Sequence, residues 1–206
     1  TDSHLQGSPT TAAAQELGLP LYTFDTALEA MREGRLKYDL GLSVLYWRKL
    51  RDEFLSIPTL GTINFHPALL PEYKGTGGYN LAIMDELNEW GNTAHYVDAS
   101  IDTGEIIEVD RFPIEAETET AQSLERKTMQ ALEDFARRII TRAIESKTKL
   151  PTTPNIGGRY VSRDEMEAMK QIRDGDNIEK KIRAFWFPPY DGAYVEINGQ
   201  KYTLIN

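Results

Sequence analysis

The chain has 206 residues, of which 40% are hydrophobic; this suffices for one α/β domain with a real core and excludes an intrinsically disordered protein. Lys and Arg total 23 against 32 Asp and Glu, and the formal net charge of −9 argues against a large nucleic-acid-binding surface, although it allows a local basic patch. The absence of cysteine excludes disulfides and a thiolate nucleophile, and without a signal peptide or an apolar run of about eighteen residues we predict a soluble cytoplasmic protein.

The first third of the sequence predicts short, alternating elements. The chain begins at Thr1 with a polar stretch instead of a hydrophobic strand, so we expect the first part of the natural polypeptide to be missing. Ser8 and Pro9 are typical of a helix start, and Gly18 ends that helix. A short strand over 20–24 and a helix that begins with a capping box at Thr26 and ends at Gly34 follow.

The central part continues the alternation up to residue 150. The apolar run 38–46 predicts a strand covered on both faces, and further strands are predicted over 62–65, 93–97 and 105–109, the last extended by 111–114. Helices are predicted over 48–56, over 79–87, and from a cap at Thr118 or Thr120 to about residue 146. This order predicts an α/β, Rossmann-like domain over 1–150, with a mostly parallel sheet and helices on both faces.

The composition of the sequence changes after residue 150. Prolines and glycines over 151–158 indicate a linker, and a charged helix is predicted over 162–173. An aromatic and proline-rich cluster spans 185–190, and Asn198-Gly199 between two β-like runs predicts a terminal β-hairpin. We therefore predict a small C-terminal extension over 151–206.

Asn64 and His66 are the most informative polar residues of the chain. Residues two apart in a strand project from one face, so the amide and the imidazole converge where a strand gives way to a loop. Asp102, in a tight loop before Gly104, is the best candidate for a carboxylate that orients the imidazole. An amide that donates to an oxyanion, a histidine that manages protons and a tuning carboxylate suit acyl-type transfer to an amine.

Each of these residues also has a structural interpretation that spacing alone does not exclude. His66 beside a proline is compatible with simple packing, Asp102 with a turn residue, and Asn64 with a side chain that ties down its own loop. For His95, in an alternating strand, we favour a structural or substrate-edge role over catalysis. No metal site is predicted.

Four blocks in order resemble the 10-formyltetrahydrofolate-dependent formyltransferase family. They span residues 64–71, 73–75, 91–98 and 101–107, and weaker similarity covers most of the chain. The resemblance implies that Asn64, His66 and Asp102 are the catalytic set and that the co-substrate is 10-formyltetrahydrofolate. It also implies that the first strand–helix–strand of the family fold is absent at the front of this chain.

The resemblance further implies a pterin slot between two loops, in which recognition is largely by backbone groups. The residues that match these loops are Leu45, Tyr46, Trp47, Arg48, Val97, Asp98, Ala99 and Ser100. For Tyr46 and Trp47, ordinary core or helix-cap packing is an equal alternative.

The acceptor amine is predicted from the tail and the charge. The net charge and the short tail argue against a methionyl-tRNA formyltransferase, and the tail resembles that of sugar-nucleotide N-formyltransferases. An amino sugar, linked to a nucleotide, is therefore the predicted small-molecule partner, with no nucleic-acid or membrane partner. Glycinamide ribonucleotide formyltransferase, formyltetrahydrofolate deformylase and a folate-binding protein with an inactive site stay as alternatives.

Two segments are candidates for acceptor binding. The segment after the catalytic strand can meet an anionic or hydroxyl-rich acceptor or serve merely as a hinge, and the tail aromatics can stack on a base or simply pack the tail onto the core. The residues predicted to bind substrate are Lys74, Gly77, Gly78, Tyr79, Trp186 and Tyr190. Exposed aromatics and a hairpin edge also predict a homodimer.

Overall fold

The fold is a mixed α/β arrangement, seen in a computed structural model that describes residues 8–46 and 48–206. The expectation about the start of the chain and the prediction for Trp47 lie outside the described residues. The α/β, Rossmann-like prediction is confirmed.

Two capped helices begin the described chain. Helix α1 (Pro9–Glu16) begins as predicted, with the Ser8 hydroxyl accepting from the Thr11 amide. Helix α2 (Phe24–Arg32) begins earlier than predicted, because Thr23 and Thr26 cap each other reciprocally. The predicted strand over 20–24 is wrong. The hydroxyl of Thr23 accepts a hydrogen bond from the backbone amide of Thr26, so α2 already begins at Phe24.

Four strands form the central sheet, in the order β1-β2-β4-β5. Strand β1 (Gly41–Val44) is followed by the short helix α3 (Asp52–Leu55) and pairs in parallel with β2 (Thr62–His66). Strands β4 (Glu89–Tyr96) and β5 (Ile106–Pro113) extend the sheet by antiparallel pairs. Among the described residues, two of the three pairings of this sheet, which was predicted to be mostly parallel, are therefore antiparallel. Within the described residues β1 lies at the edge with Leu42 and Val44 exposed, so the expected cover on both of its faces is absent there.

The long helix α5 (Ala121–Ser146) covers one face of the central strands. Thr120 caps it, which decides between the two predicted caps. Phe135 meets Phe65 of β2 edge-on, with ring centroids 6.1 Å apart, inside a cluster of buried side chains. Because Ile63 and Phe65 point into this cluster, the side chains of Asn64 and His66 project from the opposite face of β2.

A second cluster joins the C-terminal region to the core. Helix α4 (Gly78–Met84) packs against helix α7 (Ile178–Phe185), and Trp90, Leu124 and Phe185 are buried together. Helix α6 (Arg163–Met169) begins at the Ser162 cap, as predicted, whereas α7 was not predicted. The residues 151–206 therefore pack directly against the part that precedes them.

Two further strand pairs complete the fold. Strand β3 (Tyr73–Gly75) pairs in parallel with β6 (Arg159–Val161), which brings the chain beyond the linker back beside the end of β2. Strands β7 (Tyr194–Ile197) and β8 (Gln200–Thr203) form the predicted hairpin. Among residues 8–46 and 48–206 there is no helix with the length and apolar character that crossing a membrane requires.

Candidate active site

Strand pairing brings a second histidine to the amide and imidazole of β2. In the antiparallel register of β2 and β4, Asn64 lies directly opposite His95. The Nδ2 atom of Asn64 is 3.0 Å from Nε2 of His95. The pairing of β4 with β5 shifts between Ala94 and His95, and such irregularities commonly re-aim side chains beside active sites.

Asp102 reaches the same place from the loop between β4 and β5. Its Oδ2 atom lies 3.7 Å from Nδ1 of His66, and its Oδ1 atom lies 3.6 Å from Nε2 of His95. The backbone of Asp102 is left-handed, with φ +54°, a conformation that aspartate tolerates better than most residues. Gly104 closes the loop where an added Cβ would lie 1.7 Å from the carbonyl oxygen of Tyr96.

A hydrogen bond to the backbone fixes which ring nitrogen of His66 carries the proton. Its Nε2 atom lies 2.8 Å from the carbonyl oxygen of Tyr73, which can only accept, so Nε2 carries the proton. The Nδ1 atom then holds a basic lone pair and faces Asp102. A proton taken up at Nδ1 turns this contact into an ion pair in which the carboxylate stabilises the imidazolium.

A backbone hydrogen bond fixes the tautomer of His95 in the same way. Its Nδ1 atom lies 2.8 Å from the carbonyl oxygen of Tyr96 and therefore donates to it. In the neutral ring Nε2 accepts from Asn64, which orients the amide and leaves its second N–H available. His95 thus positions Asn64, a role that fits the predicted structural one and places it at the centre of the site.

The pKa values of the two central groups are both lowered. Burial lowers the pKa of the His66 imidazole below its ordinary value, and the nearby charge of Asp102 offsets only part of this effect. Burial by itself raises the pKa of Asp102, but the imidazoles of His95 and His66 in their protonated forms and a 2.9 Å hydrogen bond from the Gly75 amide together hold it below its usual value. At neutral pH the site therefore combines a neutral imidazole with an ionised carboxylate.

A small cleft of about 100 Å³ opens beside Asn64, His95 and Asp102. Of the predicted pterin-slot residues, Tyr46, Arg48, Val97, Asp98 and Ser100 line it, whereas Leu45 and Ala99 do not. The carboxylate of Asp98 accepts from the amide of Ser100 and the hydroxyl of Thr103, which stiffens the loop. Residues of both predicted loops therefore line one cleft beside Asp102, whereas His66 is not among the residues that line it.

None of the residues predicted to bind the acceptor lines this cleft. Lys74 is buried, and its ammonium donates to the carbonyl of Gly157 at 2.8 Å. Tyr79 packs against Trp90, and burial raises the pKa of its hydroxyl.

The other four residues predicted to bind the acceptor lie at the ends of helices α4 and α7 or in the exposed segment after α7. Gly77 caps α4 in a left-handed conformation, and Gly78 begins the helix against Ala68 and Trp90. Trp186 ends α7, and Tyr190 is 70% exposed beside Phe187. A part in acceptor binding stays a prediction for this set.

Asn155 is a residue that the sequence reasoning missed. Its Nδ2 atom donates to the carbonyl oxygens of Asp102 and Gly104, at 3.0 and 2.9 Å. Backbone bonds between Thr153 and Ile106, of 2.9 and 2.8 Å, fix the same segment to the start of β5. Only an asparagine after a proline marks this position in the sequence, and that signal is too weak to find it.

Fold and site together define a group-transfer centre in a Rossmann-like domain: an amide donor, a neutral imidazole and a buried carboxylate at the ends of adjacent strands. The chain belongs to the formyl transferase family, whose family model matches residues 6–143. The family resemblance seen in the sequence is thereby confirmed.

Curated relatives of this chain are methionyl-tRNA formyltransferases. The enzyme from Listeria innocua is 29% identical, in an alignment that covers 95% of this chain and 64% of the relative. The enzyme from Methylacidiphilum infernorum is 32% identical over 175 residues, 82% of this chain and 53% of the relative. The chain thus spans less than two thirds of the length of these relatives.

Solved structures of similar fold include sugar N-formyltransferases. A 4-N formyltransferase from Francisella tularensis superposes with a TM-score of 0.76 at 22% identity, over 95% of this chain and 81% of that one. An N-formyltransferase from Helicobacter canadensis, solved with folinic acid and dTDP-3-aminofucose, gives a TM-score of 0.71 at 27% identity, over 91% and 67% of the two chains.

Proposed function

We propose that this protein transfers a formyl group from 10-formyltetrahydrofolate to the amine of an amino sugar that is linked to a nucleotide. One observation carries the proposal: the Asp102 carboxylate lies within 4 Å of two imidazoles, one of which orients the Asn64 amide. Acyl-type transfer to an amine needs a base for the amine proton and a donor for the carbonyl oxygen, and both are present here.

His66 acts as the base in this proposal. Its Nδ1 lone pair takes a proton from the attacking amine nitrogen as that nitrogen bonds to the formyl carbon. Asp102 stabilises the resulting imidazolium, and Nδ1 then returns the proton to the folate nitrogen as the bond between that nitrogen and carbon breaks. The proton thus passes from the amine to the leaving nitrogen, and no external acid or oxidant is needed.

Asn64 donates a hydrogen bond to the oxygen of the formyl group. Its Nδ2 donates one hydrogen to His95 and offers the other where negative charge develops on that oxygen. His95 keeps the amide from rotating, so the donor is positioned before reaction and needs no reorganisation. Asp102, fixed by the Gly75 amide and Asn155, sets the distance to His66.

The cleft fits the flat head of a folate better than a whole drug-sized ligand. Its volume of about 100 Å³ is below the usual 300–1,000 Å³ of small-molecule sites. Residues of the loop from Val97 to Asp102 line the cleft together with Tyr46 and Arg48. A bound folate supplies the activated formyl group, and its remaining length would extend along the surface.

Support for a sugar acceptor comes from the solved structures of sugar N-formyltransferases and from the acidic charge of the chain. The curated relatives favour a second candidate acceptor, methionyl-tRNA, and water is the acceptor if the protein is a deformylase. Both alternatives use the same catalytic groups, so the acceptor must be identified by assay.

The test is a formyl-transfer assay on purified protein with amino-sugar nucleotides, glycinamide ribonucleotide, methionyl-tRNA and water as acceptors. We expect turnover with one or more amino-sugar nucleotides and a loss of about 10²-fold or more in His66→Ala. Asp174→Asn, an exposed carboxylate outside the site, is the control and should retain full activity. Turnover with tRNA alone or water alone would refute the sugar acceptor, and full activity in His66→Ala would refute the catalytic assignment.

A further inference from the structure

A second cavity, of about 470 Å³, lies among α4, α6 and α7 and shares no lining residue with the active-site cleft. Its volume falls within the usual range for small-molecule sites. Leu81 and Met84 from α4 and Ala168 and Met169 from α6 give it an apolar wall. The formyl-transfer chemistry proposed above uses none of these residues.

Two exposed arginines line this cavity. They are Arg159, the first residue of β6, and Arg173, which follows α6. Within the described part of the chain, neither guanidinium lies at ion-pair distance from a carboxylate. Each presents a planar fork of donors that matches a carboxylate or a phosphate.

The carboxylates that line the cavity are already engaged. Asp176 accepts from the ammonium of the buried Lys181 at 2.7 Å, and Asp85 accepts from the hydroxyl of Tyr73 at 3.1 Å. Glu165 accepts from the backbone amide of Ser162 at 2.8 Å, in the capping box of α6.

The guanidinium groups interact with two of these carboxylates only at longer range, that of Arg159 with Glu165 and that of Arg173 with Asp176. The backbone amide of Arg173, by contrast, donates directly to Asp176 at 2.7 Å. The cavity lining holds three cationic and three acidic side chains. Each of the carboxylates already accepts at least one hydrogen bond, whereas the two guanidinium groups have no carboxylate at ion-pair distance among the described residues.

We propose that this cavity is a second ligand site, which binds a small organic anion with an aromatic or apolar body and one phosphate or carboxylate group. Arg159 and Arg173 would bind the anionic group. Met84 and Met169 would contact the body, since thioethers pack well against aromatic rings. The proposal does not depend on the identity of the acceptor or on formyl transfer.

The methionines of the chain provide the probe for a direct test. The protein has five, and two of them, Met84 and Met169, line the cavity, whereas Met31 and Met129 lie elsewhere. Protein labelled with ¹³C at the methionine methyl groups is titrated with phenyl phosphate, inorganic phosphate or phenol, and the signals are assigned with Met→Leu variants. We expect phenyl phosphate to shift the Met84 and Met169 signals saturably, with a Kd below about 10 mM, the affinity that a ligand of this size allows.

Matched variants separate this site from non-specific binding. Arg159→Gln and Arg173→Gln should each weaken phenyl phosphate at least about tenfold. Arg126→Gln, at an exposed position on α5, should leave the affinity unchanged. Inorganic phosphate and phenol should each bind at least about tenfold more weakly than phenyl phosphate. Phosphate lacks the aromatic ring that would contact the methionines, and phenol lacks the anionic group that the arginines would bind.

Four results would overturn the proposal: no shift of Met84 or Met169 up to about 10 mM ligand, equal shifts at Met31 and Met129, unchanged affinity in both cavity variants, or equal binding of phenol or inorganic phosphate. Both arginine side chains are exposed, so the variants should fold, and the dispersion of the methyl signals checks this directly.

Discussion

At the scale of single residues, the site depends on which nitrogen of each histidine holds a proton. Two backbone carbonyls, of Tyr73 and Tyr96, fix this by accepting from Nε2 of His66 and Nδ1 of His95. Neither carbonyl belongs to a residue with catalytic chemistry of its own. In the neutral rings the backbone thus leaves Nδ1 of His66 and Nε2 of His95 without a proton, as the proposed roles of the two histidines require.

Asp102→Asn should move the pH dependence of the reaction in a defined direction. Burial lowers the pKa of His66 and the charge of Asp102 opposes this, so activity falls as the pH drops through a pKa below the ordinary 6.5. Without that charge the pKa of His66 falls further, and the acid limb of kcat/KM moves to lower pH. The plateau should also drop, by about 10²-fold, because the imidazolium loses its partner.

A profile of kcat/KM from about pH 4 to 9 for wild type, Asp102→Asn and the control Asp174→Asn checks this. An acid limb that moves to higher pH in Asp102→Asn, or a plateau equal to that of the wild type, would contradict the role given to Asp102.

Asn155→Leu should impair the same step from a distance. The variant keeps the size of the side chain but loses both donors to the Asp102 loop, so the carboxylate is no longer held beside His66. We expect kcat to fall about tenfold or more, with an acid limb shifted toward that of Asp102→Asn. Thr153→Val is the control, because the hydroxyl of Thr153 makes only a 3.5 Å contact on the same segment. A fall in thermal stability with an unchanged pH profile would contradict a positioning role and show that Asn155 only stabilises the fold.

At the scale of elements, strand β2, which carries Asn64 and His66, is held by the helix α5 that packs against it. Ile63 and Phe65 of β2 insert into the cluster on α5, and this fixes which face Asn64 and His66 present. A register slip of one residue would turn both polar groups into the core. The packing of α5 therefore specifies the site as well as the fold.

Phe135→Ala should reveal this support as a loss of stability. Phe135 is 2% exposed and contacts Phe65, so its truncation leaves a cavity and should lower the free energy of unfolding by about 3–5 kcal/mol. Arg137→Ala, on the solvent side of the same helix, should change it by less than about 0.5 kcal/mol. Urea unfolding followed by circular dichroism measures both, and equal losses in the two variants would show that this cluster does not support β2.

The sequence predicts elements better than it predicts their partners. The apolar runs and caps locate β2, β5, α5 and the hairpin, because local patterns determine them. The meeting of Asn64 and His95 depends on the register of two strands, which no local pattern encodes. The three-residue strands β3 and β6 pair over more than eighty positions of sequence, and neither is long enough to show a period.

At the scale of the whole molecule, the net charge bears on the choice between the two proposed acceptors, a nucleotide sugar and tRNA. The formal net charge is −9, and the basic residues near the cleft are few: Arg48 and Lys49 line it, beside Asp98 and Asp102. A protein that binds an RNA backbone releases counterions by placing several Lys and Arg on phosphates. A nucleotide sugar has far fewer phosphates than tRNA and does not require such a surface.

We therefore expect no specific tRNA complex at physiological ionic strength. Fluorescence anisotropy of labelled initiator tRNA should show no saturable binding below about 10 µM protein at 0.15 M salt, since non-specific complexes lie in the 10⁻⁴–10⁻⁶ M range even for basic proteins. Turnover of the amino-sugar nucleotide should change less than about twofold between 50 and 200 mM salt, whereas a protein that makes six to ten phosphate contacts would lose about 10³-fold or more in affinity. Tight, salt-sensitive tRNA binding would instead place this protein functionally with the methionyl-tRNA formyltransferases that it resembles in sequence.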